Sequence, residues 1–246
     1  MKSVEIPDDR TGARLRTLES YLDFWPLAAV TVTLGVICLG LAVSIDQPVA
    51  LYMNKVVDAD TYRIWDAVTN QGEASRYFFF FLIVFVIARF MVVRTAPLPI
   101  AHWYANLARM AIFGLVCWAS AGLVVNLIKF LVGRARPALF LSDGTYGLFP
   151  FNSEWTLNSF PSGHAQTIFT VATVLAIAMP RLSLAFFLIA ATVAASRVVI
   201  SAHYVSDVIF GAFVGTVAVL LIKKIFFPAL TSLSLTNYRT AQSSKP

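Results

Sequence analysis

Charged residues are scarce in this sequence. Asp, Glu, Lys and Arg make up only 13% of the 246 residues, about half of the roughly 25% that a soluble domain carries. Hydrophobic residues make up 58% and fall in long apolar runs. The composition therefore excludes an ordinary soluble domain and indicates an integral membrane protein. For the same reason, the formal net charge of +6 does not indicate affinity for nucleic acid.

Cysteine is almost absent as well. Cys38 and Cys117 both lie within apolar runs, so we predict buried thiols without a disulfide framework. Since no second ligand lies near either thiol, a metal or redox role is not expected. We expect no cleavable signal peptide, because the first 23 residues are polar and charged and contain no apolar segment.

The apolar runs predict an all-α membrane domain. Six runs are long enough to cross a bilayer core of about 30 Å, namely residues 27–45, 77–93, 110–128, 164–180, 182–200 and 204–222. They place a six-helix domain at residues 27–227. Residues 1–26 are predicted to form a charged tail in which 14–25 have the pattern of an interfacial helix. Residues 228–246 are predicted to form a flexible tail.

The distribution of Lys and Arg predicts the orientation of the spans. With an inner N-terminus, twelve of the 19 Lys and Arg residues fall on the inner side and seven on the outer side. Four of those seven, Lys129, Arg134, Arg136 and Arg197, lie in or beside the polar clusters described next. We therefore expect a multi-pass protein of the plasma membrane with both termini cytoplasmic.

Three polar clusters interrupt the apolar background, each at the end of a span. In chain order they are Lys129-x6-Arg136-Pro137, Pro161-Ser162-Gly163-His164 and Ser196-Arg197-x5-His203-x3-Asp207. They follow the third span, precede the fourth, and join the fifth to the sixth. Because successive spans alternate in direction, these ends of spans three to six lie on one side of the membrane. The charge distribution predicts that this is the outer side.

The third cluster has the spacing of an oriented histidine. His203 and Asp207 are four residues apart, so on a helix they share a face and the carboxylate can reach the imidazole. Such a pairing fixes the tautomer and raises the basicity of the free nitrogen. A neutral, oriented imidazole is a candidate nucleophile as well as a base.

The remaining polar residues are suited to an anion. Lys129, Arg136 and Arg197 supply three cationic groups, two of them guanidinium forks that match phosphate oxygens. The Pro-Ser-Gly turn starts a helix whose free N–H groups form an anion site, and His164 lies there as a candidate proton donor. Charges at membrane helix ends are costly, which makes their clustering a functional hypothesis.

Each feature also has an ordinary structural explanation. Lys129 or Arg136 alone fits a snorkelling interfacial anchor, Arg197 fits a structural salt bridge with Asp207, and His164 fits an interfacial helix start. Arg134 has only the interfacial interpretation and is left outside the site. The joint occurrence of the three clusters, in order and on one side, favours the functional interpretation.

The three clusters resemble the tripartite signature of the type-2 phosphatidate phosphatase superfamily, and every position of that signature is filled. The resemblance covers roughly residues 129–207, and the six-span layout matches the membrane members of the family. It implies a lipid phosphatase that works through a phosphohistidine without a metal or other cofactor. His203 would attack phosphorus with Asp207 orienting it, and His164 would protonate the leaving oxygen and activate water. The implied phosphoryl ligands are Lys129, Arg136, Arg197, Ser162 and Gly163.

The substrate class follows from the depth of the site. Helix ends lie at headgroup depth, so we expect a lipid phosphate substrate, with membrane lipids as neighbours and no nucleic-acid partner. The family suggests phosphatidylglycerophosphate, lipid A, undecaprenyl diphosphate or phosphatidate, as monoester or diphosphate, at the periplasmic face of a bacterial membrane. Residues 69–75 resemble a stretch found in several of these enzymes. Residues 140–155 either lie over the site or form an aromatic interface belt.

Two other classes carry some of the same features. Vanadium haloperoxidases share the signature and bind vanadate in place of phosphate, but they are soluble helical proteins. A transporter or channel also carries intramembrane charges, but it does not need a His–Asp pair beside three phosphate-suited cations. The sequence leaves the preferred lipid and the oligomeric state open.

Overall fold

Most of the described residues lie in helices, as the sequence predicts. The computed structural model describes residues 9–94, 98–230 and 233, and side chains from residue 25 onward. The described residues form nine α-helices: α1 (Asp9–Ser44), α2 (Asp46–Val56), α3 (Ala59–Thr69), α4 (Ala74–Arg94), α5 (Leu98–Val132), α6 (Pro137–Asp143), α7 (Gly163–Ala178), α8 (Ser183–Val199) and α9 (Val205–Phe226). Single-turn 3₁₀ helices occur at Asn70–Gly72, Trp155–Leu157 and Pro180–Leu182.

Five helical stretches are long and apolar enough to cross a membrane. They are Trp25–Ser44, Ala74–Arg94, Leu98–Val132, Pro180–Val199 and Val205–Phe226. The predicted fourth span corresponds to α7, which has only 16 residues and is therefore about 24 Å long, short of a hydrocarbon core of about 30 Å. Length and composition thus support five spans, and the sixth stays a prediction.

The short helix α7 lies at the centre of the bundle. It packs against α4, α5, α8 and α9, and most of its side chains are buried. Val171 and Val174 of α7 meet Phe113 of α5 and Val219 of α9 in the main hydrophobic core. Because neighbouring helices cover α7, it does not need the length of a helix that faces lipid on all sides.

Two glycines bring α9 against α7. A Cβ at Gly211 would overlap the Ser162 carbonyl oxygen, and a Cβ at Gly215 would overlap the Gln166 carbonyl oxygen. The pair forms a G-x-x-x-G pattern, which allows close approach of helix backbones in membranes. The approach places the first turn of α9 beside the start of α7, where the Ser162 N–H donates to the Asp207 carbonyl oxygen (2.9 Å).

The two ends of the chain are described only in part. The predicted interfacial segment 14–25 lies within α1, which continues through Pro26, and its placement on the membrane surface stays a prediction. Of the predicted tail 228–246, only 228–230 and 233 are described. Leu230 is buried in the main core, and the Leu233 N–H donates to the Ala178 carbonyl oxygen (2.9 Å).

Both cysteines are free and buried, as predicted. Cys117 belongs to the main hydrophobic core. The Cys38 thiol lies 3.7 Å from the Ser206 carbonyl oxygen, where α1 passes the first turn of α9.

Candidate active site

Gly133 follows the last residue of α5 and sets the direction of the chain through the first polar cluster. Its φ is +57°, and a Cβ would overlap the Phe149 carbonyl oxygen, so this position requires glycine. The chain then runs extended, with the Arg136 N–H donating to the Thr156 carbonyl oxygen (2.9 Å). Because residues two apart on an extended segment point to the same side, Arg134 and Arg136 both reach the region between α8 and α9.

Residues of the third cluster contact one another where α8 is connected to α9. The His203 N–H donates to the Arg197 carbonyl oxygen (3.1 Å), and Asp207 Oδ2 accepts hydrogen bonds from the Tyr204 N–H (2.9 Å) and the Ser159 hydroxyl (2.5 Å). His203 Nδ1 lies 3.5 Å from Asp207 Oδ2. Both side chains are buried. The structure therefore brings the predicted pair together, with Asp207 held by a backbone and a hydroxyl donor. The predicted shared helix face is wrong, because His203 precedes the N-cap residue Tyr204 and only Asp207 lies on α9.

The second nitrogen of His203 faces a cation. Its Nε2 lies 3.5 Å from Arg136 Nη1. Burial lowers the pKa of His203 to about 3, an effect that Asp207 opposes and Arg136 reinforces. The imidazole is therefore neutral at pH 7. With Nδ1 turned to the carboxylate, Nε2 is the basic nitrogen and faces the Arg136 guanidinium.

Lys129 and Arg136 converge on a single carbonyl oxygen. Lys129 Nζ donates to the Asn158 carbonyl (2.6 Å), and Arg136 Nη2 donates to the same oxygen (3.3 Å). Arg136 Nε donates to the Trp155 carbonyl oxygen (2.8 Å). Burial, with a contribution from Arg197, lowers the pKa of Arg136 to about 10. Arg136 therefore remains a cation at neutral pH.

Arg197, in the last turn of α8, retains an unused donor. Its Nη1 donates to the Thr69 hydroxyl (2.9 Å), at the start of the segment 69–75 singled out in the sequence. Its Nε is buried and has no hydrogen-bond partner among the described residues. An unsatisfied buried N–H of a charged group is costly. A bound anion would remove this cost, which distinguishes Arg197 from a saturated structural ion pair.

His164 borders a cavity of about 430 Å³. Gly72 packs against the ring so closely that a Cβ would lie 3.0 Å from His164 Cδ2. Lys129, His164 and Gly163 line one end of the cavity, and Trp118 and Gly122 of α5 line the other. Lys129 and Trp118 are separated by about 17 Å of helix. The cavity therefore joins a cationic end to an apolar one.

Ser162 and Gly163 form the start of α7. Ser162 is fully buried, its Oγ accepts a long hydrogen bond from the Ala165 N–H (3.4 Å), and its own N–H is bonded to Asp207. The hydroxyl proton of Ser162 therefore remains to donate, whereas its backbone N–H does not. Gly163 lines the cavity beside His164.

The structure contradicts the expectation from the sequence for Arg134. Its interpretation as an interfacial anchor is wrong, because the side chain is buried and pairs with two carboxylates. Its Nη1 donates to Asp207 Oδ1 (2.6 Å), and its Nη2 donates to Asp46 Oδ2 (2.9 Å). Asp46 was missed entirely, since in the sequence it only marks the polar end of the first span.

The aromatic segment 140–155 divides into parts with different contacts. The Tyr146 hydroxyl donates to the Ala42 carbonyl oxygen (2.5 Å) and accepts from Arg134 (2.7 Å). Phe151 is 70% exposed and Trp155 64% exposed. The segment is thus fastened inside the protein at Tyr146 and by backbone hydrogen bonds of other residues, while some of its apolar rings are exposed. The two alternatives for its role remain predictions.

Known proteins match the part of the chain that carries the site. A family model of the PAP2 superfamily matches residues 108–230, which is half of the chain. A lipid A 1-phosphatase from Rhizobium johnstonii is 29% identical over 186 residues, 75% of this chain and 74% of that protein. A lipid A 1-phosphatase from Rhizobium etli is 41% identical over 91 residues, 37% of this chain and 39% of that protein.

A solved structure shares the fold. The first transmembrane PAP2 type phosphatidylglycerolphosphate phosphatase from Bacillus subtilis gives a TM-score of 0.55 at 22% identity, covering 78% of this chain and 94% of that one.

A membrane-embedded helical bundle with a neutral histidine beside cationic side chains is the architecture of an enzyme that acts on phosphate. The chain belongs to the PAP2 superfamily, the type-2 phosphatidate phosphatases, and is a lipid phosphate hydrolase. This confirms the resemblance found in the sequence.

Proposed function

We propose that this protein hydrolyses a phosphate ester of a lipid headgroup at the outer face of a bacterial inner membrane, through a phosphohistidine on His203. One observation carries the proposal: the buried His203 ring has Nδ1 turned to Asp207 and Nε2 turned to Arg136. A neutral imidazole fixed in this way is a nucleophile aimed at the place where a guanidinium would hold phosphoryl oxygens.

In the first step, Nε2 of His203 forms a bond to phosphorus while the bond from phosphorus to the lipid oxygen breaks. His164, which is protonated once the anionic phosphate of the substrate is bound, donates a proton to that oxygen, so that the lipid leaves as an alcohol, or as a monophosphate if the substrate is a diphosphate. Asp207 stabilises the positive charge that develops on the His203 ring.

In the second step, His164, now neutral, takes a proton from water, and the water oxygen attacks phosphorus. The bond between phosphorus and Nε2 breaks, inorganic phosphate leaves and His203 is restored. The same group thus serves as acid and then as base, which requires His164 to face the leaving oxygen. Its position on the cavity wall beside Lys129 supports this role.

The phosphoryl oxygens would be held by the side chains of Lys129, Arg136 and Arg197, the hydroxyl of Ser162 and the N–H of Gly163. The Nε of Arg197, which has no hydrogen-bond partner in the described part of the chain, supports this assignment. Since these donors already neutralise the charge that develops in the transition state, we propose that hydrolysis does not need a divalent metal ion.

The substrate we propose first is a phosphorylated glycolipid of the lipid A type. Its support is the activity of the two Rhizobium relatives, which are named lipid A 1-phosphatases. The cavity beside His164 would hold the part of the lipid next to the phosphate, with Trp118 and Gly122 against its apolar portion. The outer location rests on the distribution of Lys and Arg along the sequence.

Phosphate release by the purified protein in detergent with EDTA tests this proposal. The panel comprises lipid A, phosphatidylglycerophosphate, undecaprenyl diphosphate and phosphatidate. We expect release from at least one lipid, fastest from lipid A, and an acid-labile phosphoenzyme in rapid-quench samples. The variant His203→Ala should lose both signals, whereas His102→Ala, at the opposite end of α5, should keep them. Full activity of His203→Ala would overturn the mechanism, and a strict Mg²⁺ requirement would overturn the metal-free assignment.

A further inference from the structure

A buried row of charges lies behind Asp207, on the side away from His203. Arg134 Nη1 donates to Asp207 Oδ1 (2.6 Å) and to the Ser206 hydroxyl (2.7 Å), and Arg134 Nη2 donates to Asp46 Oδ2 (2.9 Å). All four side chains are buried. None of Arg134, Ser206 and Asp46 has a role in the mechanism above, although burying such a row is costly unless every member is paired.

Asp46 connects this row to the start of α9. Its Oδ1 accepts from the Ser206 N–H (3.1 Å), and its Oδ2 accepts from the Ser206 hydroxyl. Asp46 is the first residue of α2 and lies outside residues 108–230, which match the superfamily. The N-terminal part of the chain therefore holds the turn of α9 that carries Asp207.

We propose that Arg134 and Asp46 are positioning residues of the hydrolase: they hold the Asp207 carboxylate in the orientation that keeps His203 ready to attack phosphorus. The inference rests on the proposed role of His203 as the nucleophile. Neither residue touches the substrate in this scheme, and both act only through Asp207.

The geometry explains why Asp207 needs such support. The distance from His203 Nδ1 to Asp207 Oδ2 is 3.5 Å, at the long limit of a hydrogen bond. A carboxylate so weakly tied to the imidazole does not orient itself. Oδ2 is held by Ser159 and by the N–H of Tyr204. Arg134 is the charged donor on Oδ1, so its removal frees one oxygen of the carboxylate to rotate.

Asp46 in turn fixes the fork of Arg134. With one carboxylate on each terminal nitrogen, the guanidinium plane is set from both ends. Burial alone would lower the pKa of Arg134, but the carboxylates of Asp207 and Asp46 raise it above its ordinary value. The guanidinium carbon also lies 4.4 Å from the centroid of the Tyr204 ring, which covers one face of the guanidinium. Arg134 is therefore a permanent, immobile cation beside Asp207.

This cation also tunes His203 electrostatically. The charged and titratable groups around the ring are Asp207, Arg136, Lys129, Asp46, Arg134 and Tyr204. Arg134 offsets part of the attraction between Asp207 and a protonated His203. Its loss leaves that attraction unopposed and raises the pKa of His203 from its low value. The protonated ring is not a nucleophile, so activity would then decline at a higher pH than in the wild type.

The test compares Arg134→Met, Arg134→Lys and Asp46→Asn with two matched surface controls in the full-length protein. Arg63→Met and Asp60→Asn remove an exposed ion pair of the same residue types. In Asp46→Asn the amide must turn its NH₂ toward either Arg134 or the Ser206 N–H, so one pair of donors is left facing each other. Thermal stability and monodispersity are recorded for every variant, so that kinetics are compared among folded proteins.

We expect kcat of Arg134→Met and Asp46→Asn to fall by about 10–100-fold, the usual range for residues that orient a catalytic group, with KM nearly unchanged. The acid limb of kcat/KM should move up by about one pH unit in Arg134→Met. Arg134→Lys should recover part of kcat, since an ammonium replaces the charge but reaches only one carboxylate. The surface controls should match the wild type.

Two results would overturn the inference. One is wild-type kcat in folded Arg134→Met, and the other is an activity loss that is equal at every pH and follows the folded fraction. Retained activity in His203→Ala would instead overturn the proposed phosphohistidine mechanism on which the inference rests. That outcome is distinct, because it appears without any Arg134 variant.

Discussion

Trp155 holds Arg136 from two directions. The Trp155 carbonyl oxygen accepts from Arg136 Nε (2.8 Å), and the guanidinium carbon lies 4.0 Å from the centroid of the Trp155 ring. Backbone and side chain of one residue thus set both the position and the plane of the guanidinium. Because Nη1 of that group faces His203, the exposed indole supports the alignment of the proposed nucleophile with the phosphate site.

Truncating the indole should weaken phosphate binding without removing the charge. A cation–π contact at a partly exposed site contributes about 0.5–2 kcal/mol, so we expect kcat/KM of Trp155→Ala to fall by about tenfold, with Trp155→Phe retaining most of the activity. Phosphate release from the best lipid of the panel measures this. Phe151→Ala is the control, since Phe151 is an exposed ring of the same segment that packs on Phe130 instead. Equal losses in Phe151→Ala and Trp155→Ala would contradict the assignment.

Filling the cavity beside His164 should affect lipids more than small substrates. Gly122 lines the cavity and a Cβ there meets no atom within 4 Å, so Gly122→Leu places a side chain at the apolar end from an unhindered Cβ. Displacing two methylenes of the lipid, at about 0.8 kcal/mol each, predicts a loss of about tenfold in lipid kcat/KM. Turnover of p-nitrophenyl phosphate should change little.

The control for that substitution is Gly40→Leu. Gly40 lies in α1, and a Cβ there also meets no atom within 4 Å, but it does not line this cavity. Both variants replace a helical glycine by the same residue. If the two lower lipid turnover equally, or if Gly122→Leu lowers p-nitrophenyl phosphate turnover as strongly, the cavity is not where the lipid lies.

Even a methyl group at Gly211 should disturb the site. Its Cβ would overlap the Ser162 carbonyl oxygen and separate the first turn of α9 from the start of α7. We expect Gly211→Ala to lower the melting temperature and to reduce activity. The control Gly35→Ala, in open space on α1, should be stabilised by up to about 1 kcal/mol through helix propensity. Wild-type stability of Gly211→Ala would show that the helices can separate without consequence.

Acidification should destabilise the fold through His203. Its pKa is about 3 in the folded protein and about 6.5 when unfolded, so the unfolded state binds the proton first. The stabilising contribution is complete above about pH 6.5 and is lost as the pH falls toward 3, by about 2 kcal/mol at pH 5.

The measurement is the melting temperature in detergent at pH 7.5 and pH 5. Other groups titrate over the same range, so the wild type is compared with His203→Gln, which cannot take up a proton at this position. The drop between the two pH values should be smaller in His203→Gln. Equal drops would mean that His203 is already protonated in the folded protein or is not buried.

Much of the site can be predicted from the sequence, because the residues of each polar cluster lie at short, characteristic spacings along the chain. The order of the clusters predicts which helix ends meet. The interval between His203 and Asp207 predicts that the two residues approach each other, although His203 precedes α9 and does not share a helix face with Asp207. The structure does join Lys129 to Arg136 through Asn158 and Arg136 to His203. Span counting predicts only that these cluster ends lie on one side of the membrane, and it tolerates errors of several residues in the length of each helix.

Arg134 and Asp46 could not be found in the same way. They are 88 positions apart, and their pairing depends on how α1 and α2 pack against α9, which no local spacing encodes. In a sequence, an arginine that follows a membrane helix shows the same pattern whether its side chain snorkels to the interface or is buried. The Gly211-x-x-x-Gly215 spacing is not among the expectations from the sequence, although it is a local pattern that indicates close approach to a neighbouring helix without saying which one.

The position of Asp46 limits how this protein can be divided. Residues 108–230 contain the whole family signature, yet an excised fragment with those boundaries would bury Arg134 beside Asp207 and leave its second terminal nitrogen without the carboxylate it binds here. A chimera that exchanges the N-terminal helices between relatives meets the same constraint. It must supply an acidic residue at the junction of the first two helices, or replace the arginine together with it.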